Sequence, residues 1–407
     1  MFRSGIGPVN LSADVITGER CATHCTPPEK VTLCSKDSSE RAHLGVGFTL
    51  CWWEGMTGSQ PFGRFASAVP APACFISLMI PHTPAPTILR EPVRFRALDG
   101  CELSMTRVRR ADGASRGAVV LQHGLGSNGM VFDYPGRSLA QELAQAGFDC
   151  FVSQLRGANA QPTQPIKPYG LDEYVAYDVP AILETACATG EHARVHWVGH
   201  SLGGILLMLH AIEQPDAPIE RFVAIGSSLD YRPGRSVYRD LRRLLGLISR
   251  GLRAVPFDTF ARWNALSAGY GPLLLPEKMN FWRSNVEREI MRGLLQHGFT
   301  QIPVRLLLDL DSTFTPRGFS RAAGRIEYLT RASDFRVASC LIVGSRDAQC
   351  GEAAVDETAR LLSGAPGLRV ARFGRTHGHL DDYGHFDLIL GKRAEHEVWP
   401  TIRNFLS

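Results

Sequence analysis

The sequence predicts an α/β protein: a mostly parallel central sheet covered by helices on both faces, with an antiparallel start. Three observations carry this. Short runs that are apolar throughout recur along the chain, which is the pattern of strands buried on both faces. Stretches of helical period separate them. One long helical segment then interrupts the alternation before the last strands, at 229–335.

The strands follow in order. Val93–Ala97 and Leu103–Val108 alternate with period two around Asp99-Gly100, the signature of an edge hairpin. Ala118–Leu121, Phe148–Val152, Val195–Val198 and Phe222–Ile225 are continuous apolar runs, and Cys340–Val343 and Leu368–Phe373 close the series. Helices are expected between them at Ser138–Gln145, Leu171–Cys187, Glu352–Leu362 and Glu395–Leu406. The order is that of a doubly wound sheet.

Residues 1–88 carry no sustained period, and Pro70-Ala71-Pro72, Pro81 and Pro84-Ala85-Pro86 break their last part. They read as a poorly ordered extension ahead of a domain spanning 89–407. The alternative is a native start at Met56 or Met79, which the N-terminal mass would decide. The opening Met1-Phe2-Arg3-Ser4-Gly5 leads into no hydrophobic core segment, so the expectation is a cytoplasmic protein. A net charge of +4 over 407 residues makes no case for nucleic acid, and no apolar run approaches the roughly 20 residues that span a bilayer. Ten cysteines are scattered without the spacing of a disulfide framework. Cys21-x-x-His24-Cys25 with Cys34 lacks the paired spacing of a zinc site, so no metal and no cofactor are expected.

Gly199-His200-Ser201-Leu202-Gly203 places a serine between glycines, directly after one apolar run and before Gly204–His210, a helix. A strand that turns at once into a helix strains its corner residue and projects that residue's hydroxyl from the sheet. Such a serine needs a base, an acid to orient the base, and donors for an oxyanion. His123-Gly124-Leu125-Gly126 leaves a core strand as a glycine-bearing loop, so the N–H of Leu125 and that of Leu202 are assigned as the oxyanion hole. Asp347 follows the strand Leu341-Ile342-Val343-Gly344 and is favoured as the acid, with Asp230 as the competitor one strand earlier. For the base, His385 follows Gly384 at the start of an apolar run, whereas His377 and His379 flank Gly378 in a loop.

Taken in order, His123-Gly124-Leu125-Gly126, Gly199-His200-Ser201-Leu202-Gly203-Gly204, Val343-Gly344-Ser345-Arg346-Asp347 and Asp382-Tyr383-Gly384-His385-Phe386-Asp387 resemble the α/β-hydrolase superfamily. The resemblance is to its acid-lipase and esterase branch and runs from about residue 90 to the end. It implies an α/β-hydrolase fold with a helical cap at 229–335 and a Ser201–His385–Asp347 triad cleaving carboxylic esters through an acyl-enzyme. The branch commonly carries a proline two or three residues after the acid; here Ala348-Gln349-Cys350 follows Asp347.

The cap bears on substrate. Ser236–Val255 puts Val237, Leu241, Leu244, Leu245, Ile248 and Leu252 on one face, with Arg239, Arg242, Arg243, Arg250 and Arg253 largely elsewhere. A lid helix packed on the site is the favoured reading, with transient contact to a lipid surface as the other. Phe257, Phe260, Trp263, Phe281 and Trp282 either line an acyl pocket or form the cap's own core. The expected partner is a small-molecule ester or lipid of hydrophobic character. Acyl transfer to an acceptor other than water, a haloperoxidase or perhydrolase activity, and a non-catalytic binding protein of the same fold are the rival functions.

Overall fold

The computed structural model describes residues 86–113, 115–158, 168–248, 251–270, 275–322 and 324–407. The extension up to residue 85, with Cys21, His24, Cys25, Cys34, Met56 and Met79, lies outside the described residues.

Eight strands form the central sheet: β1 (Ile88–Arg96), β2 (Glu102–Arg110), β3 (Ala118–Gln122), β4 (Asp149–Gln154), β5 (Val195–His200), β6 (Ile219–Ile225), β7 (Ala338–Gly344) and β8 (Arg369–Phe373). Their spatial order is β1-β2-β4-β3-β5-β6-β7-β8. β2 runs antiparallel to both neighbours, and β3 to β8 are parallel. Side chains alternate across the sheet as the pleat requires. Val120, Trp197, Ala224 and Leu341 enter one core with α2 (Val179–Gly190) and α3 (Leu202–Glu213). Val119, Leu121, Val198, Val223 and Ile342 enter the other with α1 (Leu139–Gln145) and the C-terminal helix Trp399–Leu406.

Local chemistry sets the helix boundaries. The Ser138 side chain accepts the Gln141 N–H and starts α1. α2 is entered through Leu171–Glu173 and a π-bulge at Tyr174–Asp178. The single helix expected over Glu395–Leu406 is instead two, Ala394–Glu397 and Trp399–Leu406, because Pro400 has no N–H to continue a helix begun earlier and sits in the first turn of the second.

Between β6 and β7 the described residues include five α-helices: α4 (Val237–Ile248), α5 (Phe257–Ser267), α6 (Leu275–Asn280), α7 (Arg288–His297) and α8 (Val304–Asp311). α4 ends short of the expected Val255, where Ala254–Val255 pairs as a strand with Ile302–Pro303. α9 (Glu352–Leu361) follows β7. Register brings Gln122, Gly199 and Ala224 side by side, so the C-terminal ends of β3, β5 and β6 open onto one edge. Loops leaving that edge are where such sheets place ligands.

Candidate active site

Ser201 sits between β5 and α3 with φ 53° and ψ −119°, one of the three non-glycine positive-φ residues among those described. The strain is held from both sides. Its N–H donates to the Ile225 carbonyl at 2.8 Å, and its own carbonyl accepts the Ser227 hydroxyl at 2.7 Å. The turn is tight enough that a Cβ on Gly199 would sit 2.5 Å from the Gly203 backbone, and one on Gly203 would strike the carbonyl oxygens of Gln122 and His123. Trp197, buried in β5, donates its indole N–H to the Gly203 carbonyl at 3.0 Å and fixes the first turn of α3.

His385 and Asp347 meet on the same edge. Nδ1 of His385 lies 2.7 Å from Oδ2 of Asp347, and both side chains are buried. The other carboxylate oxygen, Oδ1, accepts the N–H groups of Gln349 and Cys350 at 2.8 and 2.9 Å. These bonds aim the carboxylate at the imidazole, so that Nδ1–H donates to Asp347 and Nε2 is turned away from it. Nε2 is buried and has no hydrogen-bond partner among the described residues. Ser201 and His385 line the same cavity.

The alternatives lie elsewhere. Asp230 is buried but takes Arg232 in a bidentate pair, with 2.6 Å as its shortest contact. His377 pairs with Glu352 at 2.9 Å, and His379 stacks on Phe373 with ring centroids 4.7 Å apart. Neither histidine reaches the cavity.

The loop after β3 carries the assigned oxyanion donor. His123 is buried, and burial pushes its pKa down to about 4, so the ring is neutral. Its Nε2 accepts the Leu155 N–H at 3.2 Å, which leaves Nδ1–H to donate to the Gly124 carbonyl at 2.9 Å. The Ser127 hydroxyl donates to the same carbonyl at 3.1 Å. A trans peptide is planar, so the Leu125 N–H points opposite to the Gly124 C=O. Among the described residues neither the Leu125 N–H nor the Leu202 N–H has a protein acceptor, and both residues line the cavity with Ser201. Gly124 is required by closeness, since a Cβ there would lie 2.8 Å from that of Ser201. Gly126 is required by its φ of 58° and by Ile302 packed against it.

His200 also holds the histidine loop. Its Nε2 donates to the His385 carbonyl at 3.1 Å, and its ring lies 4.5 Å from that of His385. Burial drives its pKa well below the ordinary histidine value, which keeps the ring neutral.

The cavity has a volume of about 720 Å³, within the roughly 300–1,000 Å³ range of small-molecule sites. Its lining is apolar almost throughout. Phe257, Phe260 and Trp263 of α5 line it, whereas Phe281 is buried against Phe386 and Trp282 lies beneath Arg346, both outside the lining. From α4, Tyr238, Arg242 and Leu245 face the cavity. Arg242 thus departs from the expected polar face; it is brought inward by pairing with Asp311 of α8 at 2.6 Å. The side chains of Leu241, Arg243, Leu244 and Ile248 lie outside what is described.

Comparison with known proteins follows the same lines. A family profile described as alpha/beta hydrolase fold matches residues 117–300. Lipase member K of Mus musculus is 28% identical over 163 residues, covering 36% of this chain and 41% of its own length. Gastric triacylglycerol lipase of Homo sapiens is 27% identical over 198 residues, covering 44% and 49%. The chain thus spans less than half the length of either relative. Among solved structures, a monoacylglycerol lipase of Paleococcus ferrophilus (18% identity, TM-score 0.50) covers 78% of this chain and 98% of its own. A thermophilic esterase of Thermogutta terrifontis (14% identity, TM-score 0.51) covers the same shares, and both share the fold.

Proposed function

We propose that this chain, whose residues 117–300 match the alpha/beta hydrolase fold, is a serine hydrolase of hydrophobic carboxylic esters. The observation that carries this reading is the His385–Asp347 pair at 2.7 Å, with its unpartnered Nε2 in one cavity with the strained Ser201. In the reaction Nε2 takes the Ser201 proton as Oγ attacks the ester carbonyl. Asp347 holds the tautomer and stabilises the imidazolium. The Leu125 and Leu202 amides receive the oxyanion, each such donor contributing about 3–4 kcal/mol to the transition state. The imidazolium then protonates the leaving alcohol, and water repeats the sequence to release the acid.

The apolar cavity supports a medium-to-long acyl group. Phe260 and Trp263 line it while remaining 54% and 70% exposed, which supports entry from a lipid phase at that side of the cap. A fluorophosphonate probe tests the chemistry: the protein should label, and Ser201→Ala should not. Labelling that persists in Ser201→Ala would remove the assignment. A chromogenic ester panel tests the acyl preference, which should rise from acetate toward medium chains; an optimum at acetate would contradict it.

A further inference from the structure

We propose that the Gln349–Asn280 pair is a positioning bridge through which the cap holds the Asp347–His385 pair in register. The bonds form a closed circuit. Asp347 Oδ2 meets His385 Nδ1 at 2.7 Å; the next residue, Phe386, donates its N–H to the Asn280 carbonyl at 2.9 Å. The Asn280 side-chain oxygen accepts the Gln349 amide at 2.9 Å, and the Gln349 backbone N–H returns to Asp347 Oδ1 at 2.8 Å. Asn280 ends α6, so a cap residue is the piece inserted between the acid loop and the histidine loop.

Every side-chain nitrogen and oxygen of the bridge has a hydrogen-bond partner. Gln349 also donates to the Met279 carbonyl at 3.1 Å and accepts the Tyr238 hydroxyl of α4 at 2.5 Å. The Asn280 side-chain amide donates to the Pro276 carbonyl at 2.5 Å. Both residues are buried, Gln349 at 4% and Asn280 at 3% exposure. A buried amide with every atom bonded has one favoured orientation, because any rotation strands a donor or acceptor away from water. The backbone contribution depends on residue type as well, since a proline at 349 would remove the N–H that Asp347 accepts.

Neighbouring contacts run in the same direction. The Trp282 N–H, two residues beyond Asn280, donates to Asp387 Oδ2 at 2.7 Å, and that oxygen also accepts the Gly384 N–H at 2.8 Å. The Val237 N–H at the start of α4 donates to the Ala348 carbonyl at 2.9 Å. Docking of the cap and alignment of the imidazole are therefore one event.

The inference rests on the serine-hydrolase reading, which labelling of the unaltered protein tests separately. Gln349→Met and Asn280→Leu each remove the bridge at nearly constant volume. Each should lower kcat about tenfold or more on both acetyl and decanoyl p-nitrophenyl esters and slow fluorophosphonate labelling, with KM for the acetyl ester changed less than twofold. The double variant should lose no more than the worse single one, because one circuit is broken in each case. Losses confined to KM for the decanoyl ester would make these residues cavity wall only and overturn the proposal. So would independent, multiplying effects, or labelling at the parental rate. Melting curves identify any variant that does not fold, and either single variant that folds decides the kcat–KM split. An unaltered protein that does not label would defeat the hydrolase reading instead.

Discussion

At Ser201 the backbone holds φ 53° and ψ −119°, a region that glycine enters without cost and other residues enter at about 1–3 kcal/mol. The strain is retained because the Ile225 and Ser227 hydrogen bonds and the close approach of α3 leave no other path. Removing the hydroxyl while keeping Cβ therefore differs from removing both. Ser201→Gly and Ser201→Ala should both be inactive, but Ser201→Gly should melt at the same temperature as Ser201→Ala or above it. A lower melting temperature for Ser201→Gly would show that the elbow stores no strain. Because this strain is local, the corner residue could be read from five residues of sequence. His200 could not, since its partner is the carbonyl of His385, 185 positions away. Gln349 was visible in sequence only as a departure from a pattern, and its partner Asn280 lies 69 residues off on another element.

Among the elements, α3 lies close against the sheet, and its glycines set the distance. A Cβ on Gly203 would meet two backbone oxygens, neither of which belongs to a flexible side chain. Gly203→Ala should destabilise the protein by about 1–3 kcal/mol and shift the elbow, lowering activity as well. Gly364→Ala, where nothing lies within 4 Å of the added carbon, is the control and should melt like the parent. Equal melting temperatures for the two would refute the close-approach argument. The inner strands of the sheet were legible in sequence because their cores are continuous apolar runs, and the edge hairpin because it alternates with period two, although the strand ends were not. β6 begins at Ile219 rather than Phe222, because Glu220 is exposed and Arg221 half-buried at its start and break the apolar run while the ladder continues. Pro400, read in passing as part of one helix, divides two.

For the molecule as a whole, the buried histidines and the buried carboxyls of Asp178 and Asp387 oppose each other with pH. Burial pushes His123 and His196 down to about 4, and lowers His200 and His210 as well. The unfolded chain protonates these histidines below about pH 6.5 and the fold does not, so their contribution to stability is lost as pH falls from there toward 4. Burial raises Asp178 to about 6 and Asp387 to about 8, and these favour the fold less as pH rises from about 4 to those values. Below neutrality the histidines outweigh the carboxyls, and above it Asp387 acts with no opposing histidine. The urea midpoint should accordingly peak near about pH 6.5 and fall toward both about pH 5 and about pH 8, with Asp387→Asn flattening the alkaline side. A midpoint that rises on acidification would show these histidines to be solvated. At this scale the sheet and the order serine, acid, histidine could be read in advance, since strand order dictates both. The inner surface of the cap could not: helical period marks an apolar face but not which helix it meets, and Arg242 is turned inward by Asp311 from a distant helix.

The hydrogen bonds from Asn280 and Trp282 to the histidine loop bear on how this protein could be rebuilt. A chimera that takes its cap from another protein of this fold has to keep Leu275–Asn280 and the turn after it with the body, placing the downstream graft junction before Leu275; within the retained stretch the Asn285 carbonyl accepts the Lys392 N–H at 2.6 Å. Upstream of Leu275 the helices are exchangeable parts that shape the acyl chamber. From Leu275 to Asn285 the chain is cap by sequence position and catalytic floor by attachment.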